Sequence, residues 1–454
     1  MRQNRRITPE GTRDLLFEES LARREAEGML SDLFVGRGFS EVMTPGMEFY
    51  DVFHADTMAI PAESMYKFAD AKGRLLVMRP DSTMPIARLV ATRMQNARLP
   101  IRLYYAQDVY RFHHGLSGHY DQMFQAGVEL IGAAGERADL EVLSLAAEAL
   151  RQSVGEGFRL EIGHVGFFQS LMRQLPADGE TKDAIRTLIE NKNYAGLSDE
   201  LDALPPSQTV DVLRRLPRLF GGEEVLRAAA SLCHDEDTKE ALACLARLYL
   251  ALRRLGLGDQ VMIDLGLVQE NEYYTGVIFR GYIEGSGDTV VSGGRYDTLL
   301  QQFGSPLPAT GFGVNVDCLT KAMLDRGEVD PPMPPEILVH ARPGHEVDAL
   351  QKVNELIEQG MLCEFSVFEE LPQSMDYARA RNIGQVYDVG DEQNIFYIVM
   401  ELVEGITLKE YIIVFLIFMN DGLSTNETFL KFSVIQIMEN RQVFDLHIST
   451  SFLL

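Results

Sequence analysis

The sequence is poor in cysteine. Its 454 residues contain four of them, and none forms a C-x-x-C pair; they are Cys233, Cys244, Cys318 and Cys363. Scattered cysteines predict neither a zinc site nor a disulfide framework. We therefore expect no bound metal or other cofactor, and a reducing, cytoplasmic location.

Basic residues are also scarce relative to acidic ones. The chain has 42 Lys and Arg against 67 Asp and Glu, which gives a formal net charge of -25 at pH 7. Such a charge repels a phosphate backbone and argues against general nucleic-acid binding, although it does not exclude a local basic patch. We expect no nucleic acid among the partners.

Long apolar runs are absent as well. Residues 1–14 contain basic side chains but no apolar stretch follows them, so we expect no signal peptide. The apolar run at 412–419 is far shorter than the about 20 residues that span a bilayer. A hydrophobic content of 46% nevertheless suffices for a sizeable core in two or three domains. We therefore expect no membrane association.

The most informative stretch, residues 100–132, has the pattern of a β-hairpin. Two runs rich in aromatic and β-branched residues flank a polar loop that contains glycine. The strand period of two places Gln125, Gly127 and Glu129 on one face. A buried carboxylate there requires a cationic partner, and Arg111 on the first strand is the candidate. An ordinary hairpin with a surface Arg–Glu pair fits the same pattern.

This hairpin resembles motif 2 of the histidyl-tRNA synthetase family of class II aminoacyl-tRNA synthetases. The family's loop opens on Phe-Arg and closes on Phe-Gly-Val-Glu, and Val109-Tyr110-Arg111 and residues 125–129 hold those places without a gap. Residues 264–276 resemble the LVRGLDYYTG signature and are the most specific match. Other family segments follow in order, at residues 9–15, 38–45, 79–83, 293–297 and 310–313. The resemblance covers residues 1 to about 320.

The resemblance implies an α+β fold. Residues 1–325 would form a class II synthetase-like antiparallel sheet with flanking helices, and the Leu- and Ala-rich stretch at about 165–257 would be a helical insertion. After a Pro-rich linker, the β-α-β-α pattern of residues 331–384 predicts a small α/β domain that resembles a truncated anticodon-binding domain.

The remaining tail, residues 385–454, has a foreign character. Residues 386–412 resemble the strand pair and hinge of a bacterial serine/threonine protein kinase. The sequence has no Gly-rich loop with its following Lys, no H-R-D and no D-F-G, and phosphoryl transfer needs all of these. A kinase is therefore disfavoured, and a dispensable fused segment is the hypothesis for the tail.

The groups that contact histidine in the synthetase family are kept in this sequence. The resemblance assigns this role to Asp81 (Glu in the family), Thr83, Arg111, Gln125, Glu129, Tyr273, Tyr274 and Tyr296. A carboxylate such as Glu129 can accept a hydrogen bond from an imidazole, and tyrosines pack against the ring. Adjacent tyrosines in a strand point to opposite faces, so a packing role for both of them remains an alternative.

Three positions that the family uses for catalysis are changed, to His113, Gln269 and Cys318. The last two replace arginines, and neither side chain carries a fixed positive charge. Since one preorganised donor is worth roughly 10² to 10³ in rate, we expect no adenylation activity and assign no catalytic residue. A kept histidine pocket with lost chemistry resembles the regulatory subunits of ATP phosphoribosyltransferase.

That resemblance implies a non-catalytic subunit for the first step of L-histidine biosynthesis. Its partners would be L-histidine as feedback inhibitor, a short-form catalytic subunit in a hetero-oligomer, and a second copy of the chain through the core. An active histidyl-tRNA synthetase remains the alternative. The sequence leaves open the stoichiometry, whether the subunit also activates its partner, and whether residues 385–454 are native.

Overall fold

The structure is a computed structural model that describes residues 6–53, 60–112, 120–232, 235–268 and 273–390, with the backbone of a further strand at 397–400. The chain divides into two units, Met1–Pro331 and Pro332–Leu454.

The described residues of the first unit form helices and strands along its whole length. The helices are α1 (Phe17–Gly36), α2 (Thr83–Arg93), α3 (Glu136–Val154), α4 (Val165–Gln174), α5 (Gly179–Glu190), α6 (Tyr194–Asp202), α7 (Gln208–Arg215), α8 (Glu223–Ala230), α9 (Glu236–Arg254) and α10 (Val316–Asp325). The strands are β1 (Ser40–Glu41), β2 (Met47–Phe49), β3 (Lys67–Ala69), β4 (Leu75–Met78), β5 (Ile101–Tyr110), β6 (Gln122–Ile131), β7 (Phe158–His164), β8 (Phe220–Gly221), β9 (Val261–Asp264), β10 (Val277–Ile283), β11 (Thr289–Arg295) and β12 (Ala309–Asn315).

A nine-stranded sheet organises this unit, in the order β1-β5-β6-β12-β11-β10-β7-β9-β8. Its centre is antiparallel, and only β1 with β5 and β7 with β9 run parallel. The predicted hairpin is formed by β5 and β6, whose register runs from Ile101 opposite Ile131 to Tyr110 opposite Gln122. A separate three-stranded sheet has the order β2-β4-β3.

Helices pack on one face of the large sheet because their apolar residues recur at helical spacing. In α1 the buried residues are Ala22, Ala26, Leu30 and Phe34, each four positions from the next. This stripe contacts the sheet together with α3 and α10. The cavities described below lie on the opposite face of the sheet.

Helices α4–α9 occupy residues 165–254, the region predicted as a helical insertion. Several of them begin at a polar residue whose side chain accepts a hydrogen bond from a backbone N–H of the first turn. These capping residues are Asp178, Asn193, Ser207 and Asp235.

The second unit contains β13 (Ile337–Ala341), α11 (Glu346–Glu358), β14 (Cys363–Phe365), α12 (Leu371–Ala380), β15 (Gln385–Val389) and β16 (Tyr397–Met400). Its sheet has the order β14-β13-β15-β16, in which the first three strands are parallel. The sheet therefore continues past residue 384, where the sequence suggested that a foreign tail begins. Strand β15 is held by five pairings with β13 and by the buried side chains of Val386 and Val389. The kinase-like stretch from 401 onward lies outside the described residues.

Candidate functional site

A cavity of about 200 Å³ opens on the face of the large sheet opposite the α1 stripe. Strands β5, β6, β11 and β12, the start of α2 and the turn before β10 contribute to its wall. All eight residues assigned to histidine contact line it together, namely Asp81, Thr83, Arg111, Gln125, Glu129, Tyr273, Tyr274 and Tyr296. Their convergence on one cavity agrees with the assignment.

Side chains of alternate residues along β6 point into the cavity, and these include the polar residues Gln125 and Glu129. Glu129 lies opposite Gly311 of β12, and Gln125, four pairs further along, lies opposite Asn315. A Cβ at Gly311 would collide with the Glu129 carboxylate, and one at Gly313 would collide with the Gln125 amide. Glycine is therefore required at Gly311, where the backbone carbonyl oxygen of Val128 is also in the way, whereas at Gly313 the Gln125 side chain would have to move. In the sequence analysis these glycines served only as part of a family motif. Their spacing of two on a strand already indicated that one face of β12 has no room for side chains.

Glu129 is a buried carboxylate held by hydroxyl groups. It is 1% exposed. The Thr83 hydroxyl donates a hydrogen bond of 2.7 Å to Oε1, and the Tyr296 hydroxyl donates to Oε2. Burial raises the pKa of Glu129 to about 8, although both hydrogen bonds oppose the rise. The Glu129 carboxyl therefore keeps its proton at neutral pH.

Arg111 does not pair with Glu129, so that expectation was wrong. Its Nε donates to the carbonyl oxygen of Pro80 at 2.7 Å, and Nη2 lies 3.6 Å from Oδ2 of Asp81. None of the described residues forms an ion pair with Glu129. The hairpin register explains the difference, because Glu129 lies opposite Leu103, eight positions before Arg111 on β5. The strand period of two predicts which face of the sheet Glu129 lies on. Its position along the strand decides which residue of the neighbouring strand it meets.

The start of α2 fixes the other carboxylate of the cavity. Oδ1 of Asp81 accepts a hydrogen bond of 3.0 Å from the backbone N–H of Met84, in the first turn of the helix. Asp81 is buried, and Oδ2 faces the Arg111 guanidinium. The cavity thus has an anionic and a cationic group side by side near Pro80, and a neutral carboxyl at Glu129.

Three buried tyrosines form an aromatic wall. The ring centroids of Tyr273 and Tyr274 are 4.5 Å apart, and Tyr296 lies edge-on at 5.7 Å from Tyr273. Burial raises the pKa of all three phenols. The pair precedes β10, which begins at Val277, so strand alternation does not apply and both tyrosines line the cavity. Both also belong to the buried core, so a packing role for them remains open.

The sequence analysis missed Tyr105. This residue on β5 is paired with Gly127, and its hydroxyl donates a hydrogen bond of 3.2 Å to Oε1 of Gln125. It occupies the space that a side chain at Gly127 would need. The cross-strand register was the signal, since directly opposed residues share a face. Other residues that line the cavity and were missed are Met123, Thr289, Val290, Ser292, Gly311, Phe312, Gly313 and Asn315.

Cys318 lies in the first turn of α10, apart from the cavity wall. Its backbone N–H donates to Oδ1 of Asn315, which caps the helix. Burial raises the pKa of the thiol to about 11, so it is neutral at physiological pH. The other two changed positions, His113 and Gln269, lie outside the described residues.

The described part of the chain shows neither a metal-binding cluster nor a membrane-spanning helix. No group of three or more His, Cys, Asp or Glu side chains there is arranged to hold a metal ion. None of the helices formed by those residues combines the length and apolar character needed to cross a bilayer.

Comparisons with known proteins agree on a family. Residues 11–319 match the sequence profile of the family described as histidyl-tRNA synthetase. An ATP phosphoribosyltransferase regulatory subunit from Clostridium kluyveri is 37% identical over 382 residues, which cover 84% of this chain and 98% of that protein.

Solved structures share the fold. One from Bacillus halodurans, titled an ATP phosphoribosyltransferase regulatory subunit/histidyl-tRNA synthetase, matches with a TM-score of 0.74 at 30% identity and covers 85% of this chain and 99% of that one. A histidyl-tRNA synthetase from a Nostoc species matches with a TM-score of 0.69 at 18% identity, covering 87% and 94%. The class II synthetase-like α+β fold expected from the sequence is confirmed.

Proposed function

The chain belongs to the family of ATP phosphoribosyltransferase regulatory subunits, built on a histidyl-tRNA synthetase-like core, and from this premise we propose that the cavity around Glu129 senses L-histidine. Histidine bound there inhibits a separate catalytic subunit in the first step of L-histidine biosynthesis, in the cytoplasm. The convergence of all eight assigned residues on one cavity carries the proposal.

The chemistry of the wall suits a zwitterionic amino acid with an imidazole. Arg111 and Asp81 lie 3.6 Å apart and offer a cation for the α-carboxylate and an anion for the α-ammonium. Glu129 accepts an imidazole N–H, and the tyrosine wall packs against the ring. A volume of about 200 Å³ is below the roughly 300 to 1,000 Å³ of pockets for drug-sized ligands. It therefore suits an amino acid better than a nucleotide.

The same site lacks what adenylation requires. Activation of an amino acid builds charge on the phosphates of ATP, and preorganised cations stabilise that charge. Gln269 and Cys318 stand where synthetases of this family carry arginine, and His113 replaces a glutamate. We propose that the chain is catalytically inactive by itself. An active histidyl-tRNA synthetase remains the second candidate, because every histidine-contacting position is kept.

The phosphoribosyl transfer must then be performed by a second protein. The sequence contains no acidic pair followed by a small-residue phosphate loop in a β-α context. We propose a hetero-oligomer with a short-form catalytic subunit, assembled on a dimer of this core. Histidine can act at a distance only if its affinity differs between two states of that assembly.

Co-purification with a short phosphoribosyltransferase tests the proposal. We expect a stable complex whose turnover falls when histidine is added. Histidine-dependent exchange between ATP and pyrophosphate is measured on the same preparation, and we expect none. Exchange at a rate typical of synthetases, without complex formation, would establish the second candidate instead.

A further inference from the structure

A second open cavity, of about 550 Å³, lies near the other end of the large sheet and is separate from the histidine cavity. Strands β7 and β10 and the residues just before β9 line it. Four carboxylates contribute to its wall, Glu156, Glu161, Asp259 and Glu284, against two cations, Arg159 and Lys192. The wall is therefore net acidic.

Glu161 is the unusual member of this group. It is 6% exposed, and no hydrogen-bond donor among the described residues reaches its buried Oε2. The described residues also provide no ion pair to it, since Arg280, opposite it on β10, donates to the carbonyl oxygen of Val268. Lys192, Arg159 and Arg280 act on Glu161 through their charges alone, and burial still raises the pKa of its carboxyl. A buried carboxylate oxygen without a hydrogen-bond donor destabilises the fold unless something compensates for its lost hydration.

Gln260 adds a second buried acceptor to the same cavity. Its Oε1 has no donor among the described residues, while its amide nitrogen donates to Glu156. The strand register accounts for the convergence. Glu161 lies opposite Met262 on β9, and Gln260 precedes Met262 by two positions. Gln260 lies just before β9, and its backbone carbonyl oxygen accepts a hydrogen bond from the N–H of Leu160, the residue before Glu161, so the two side chains line the same cavity.

We propose that this cavity binds a small organic cation, whose ammonium or guanidinium group donates hydrogen bonds to Glu161 and Gln260. Both orphaned atoms are acceptors, so the ligand must supply N–H groups, and the net acidic wall selects a positive charge. A metal ion fits less well, because the described residues bring no three metal-ligating side chains together. The volume is within the range of about 300 to 1,000 Å³ for pockets that bind small molecules. The inference is independent of the histidine site.

Calorimetric titration of the full chain with 1,5-diaminopentane and with L-arginine tests the proposal. We expect at least one probe to bind saturably. Glu161→Gln should weaken that binding by about tenfold or more, because it removes the charge that the ammonium or guanidinium contacts. The matched control is Glu284→Gln, which changes the same charge on an exposed carboxylate of the same cavity and should shift the affinity by less than about threefold.

Thermal unfolding distinguishes a loss of binding from a loss of stability in the variants. Without probe, Glu161→Gln should unfold at a temperature no lower than the parent, and the probe should raise the unfolding temperature of the parent only. Gln260→Leu removes the second acceptor and should also weaken binding. The proposal is overturned if neither probe binds at up to about 10 mM, or if binding survives in both Glu161→Gln and Gln260→Leu.

Discussion

Thr83 and Glu129 are 46 residues apart in the chain, and the Thr83 hydroxyl donates a hydrogen bond of 2.7 Å to the Glu129 carboxyl inside the cavity that we propose binds histidine. Thr83 is the first residue of α2, so the helix start positions the donor. Tyr296 approaches the other oxygen from 167 residues away. Glu129 is thus oriented by two hydroxyls and by no cation among the described residues, which leaves its carboxyl group available to a ligand.

Glu129→Ala should weaken histidine binding by roughly 1.5 to 3 kcal/mol, the worth of a hydrogen bond in which one partner is charged, here the Glu129 carboxyl and a protonated imidazole. Inhibition should then require on the order of tenfold or more histidine. Titration calorimetry on the isolated chain and inhibition curves of the assembled enzyme measure the two effects. Assembly and uninhibited turnover should remain close to those of the parent.

The control is Glu25→Ala, which removes an exposed carboxylate of α1 from the same unit. It should leave the inhibition curve unchanged. If Glu129→Ala also left it unchanged, the histidine site would lie elsewhere, for instance at a subunit interface.

The raised pKa of Glu129 predicts a pH-dependent stability. Burial raises this pKa from 4.5 to about 8, so the folded chain keeps a proton that the unfolded chain releases. Between about pH 4.5 and pH 8 the carboxyl therefore lowers the free energy of unfolding as pH rises, by up to about 1.4 kcal/mol per pH unit. In Glu129→Gln this contribution is absent.

Urea unfolding between about pH 5 and 8 measures the effect. The free energy of unfolding of Glu129→Gln relative to the parent should increase with pH. Burial also raises the pKa of Asp139, Glu161 and Asp264, but these groups are common to both chains and cancel in the difference. Parallel stability curves would show that Glu129 titrates normally in the folded chain.

Gly311→Ala should disrupt the histidine cavity from its floor. The added Cβ would collide with the Glu129 carboxyl and with the carbonyl oxygen of Val128, which is backbone and cannot move aside. Overpacking of this kind costs about 1 to 3 kcal/mol of stability, and the displaced carboxyl should weaken histidine binding further. Thermal unfolding and calorimetric titration report the two losses.

Gly36→Ala provides the comparison, because a Cβ there meets no atom within 4 Å. Its unfolding temperature and histidine affinity should match those of the parent. Equal behaviour of the two alanine variants would mean that the close approach at Gly311 is relaxed in solution.

Two C-terminal truncations should show whether the folded second unit ends at Gly384 or at Met400. A chain that ends at Gly384 loses β15, which fills the place between β13 and β16 and buries Val386 and Val389. We expect its second unit to unfold and to be digested by protease. A chain that ends at Met400 keeps all four strands and should resist proteolysis like the full chain.

We propose that residues 401–454 are dispensable for folding and for histidine binding. Loss of either property in the chain that ends at Met400 would mean that the segment belongs to the folded protein. The earlier boundary at residue 384 followed from a change in sequence character, whereas strand pairing extends beyond it.

The sequence by itself determined the family, the fold class and eight of the residues that line the cavity proposed to bind histidine. Those features depend on local patterns, such as the period of two along β6 and short motifs whose order follows the chain. It did not determine which groups contact each other. Arg111 is paired with Asp81 and Glu129 with Thr83 and Tyr296, because the contacts depend on strand register and on segments that are distant in the chain.

Burial was also decided by the tertiary structure. Glu129 and Glu161 are both glutamates on strands, and no neighbouring residue in the sequence indicates that the first is held by hydroxyls and the second has no donor to Oε2 among the described residues. The pKa of each carboxyl rises because the folded chain removes it from water, and desolvation is set by everything that packs around the group. Folding of the chain therefore places residues of the same type in two different chemical environments.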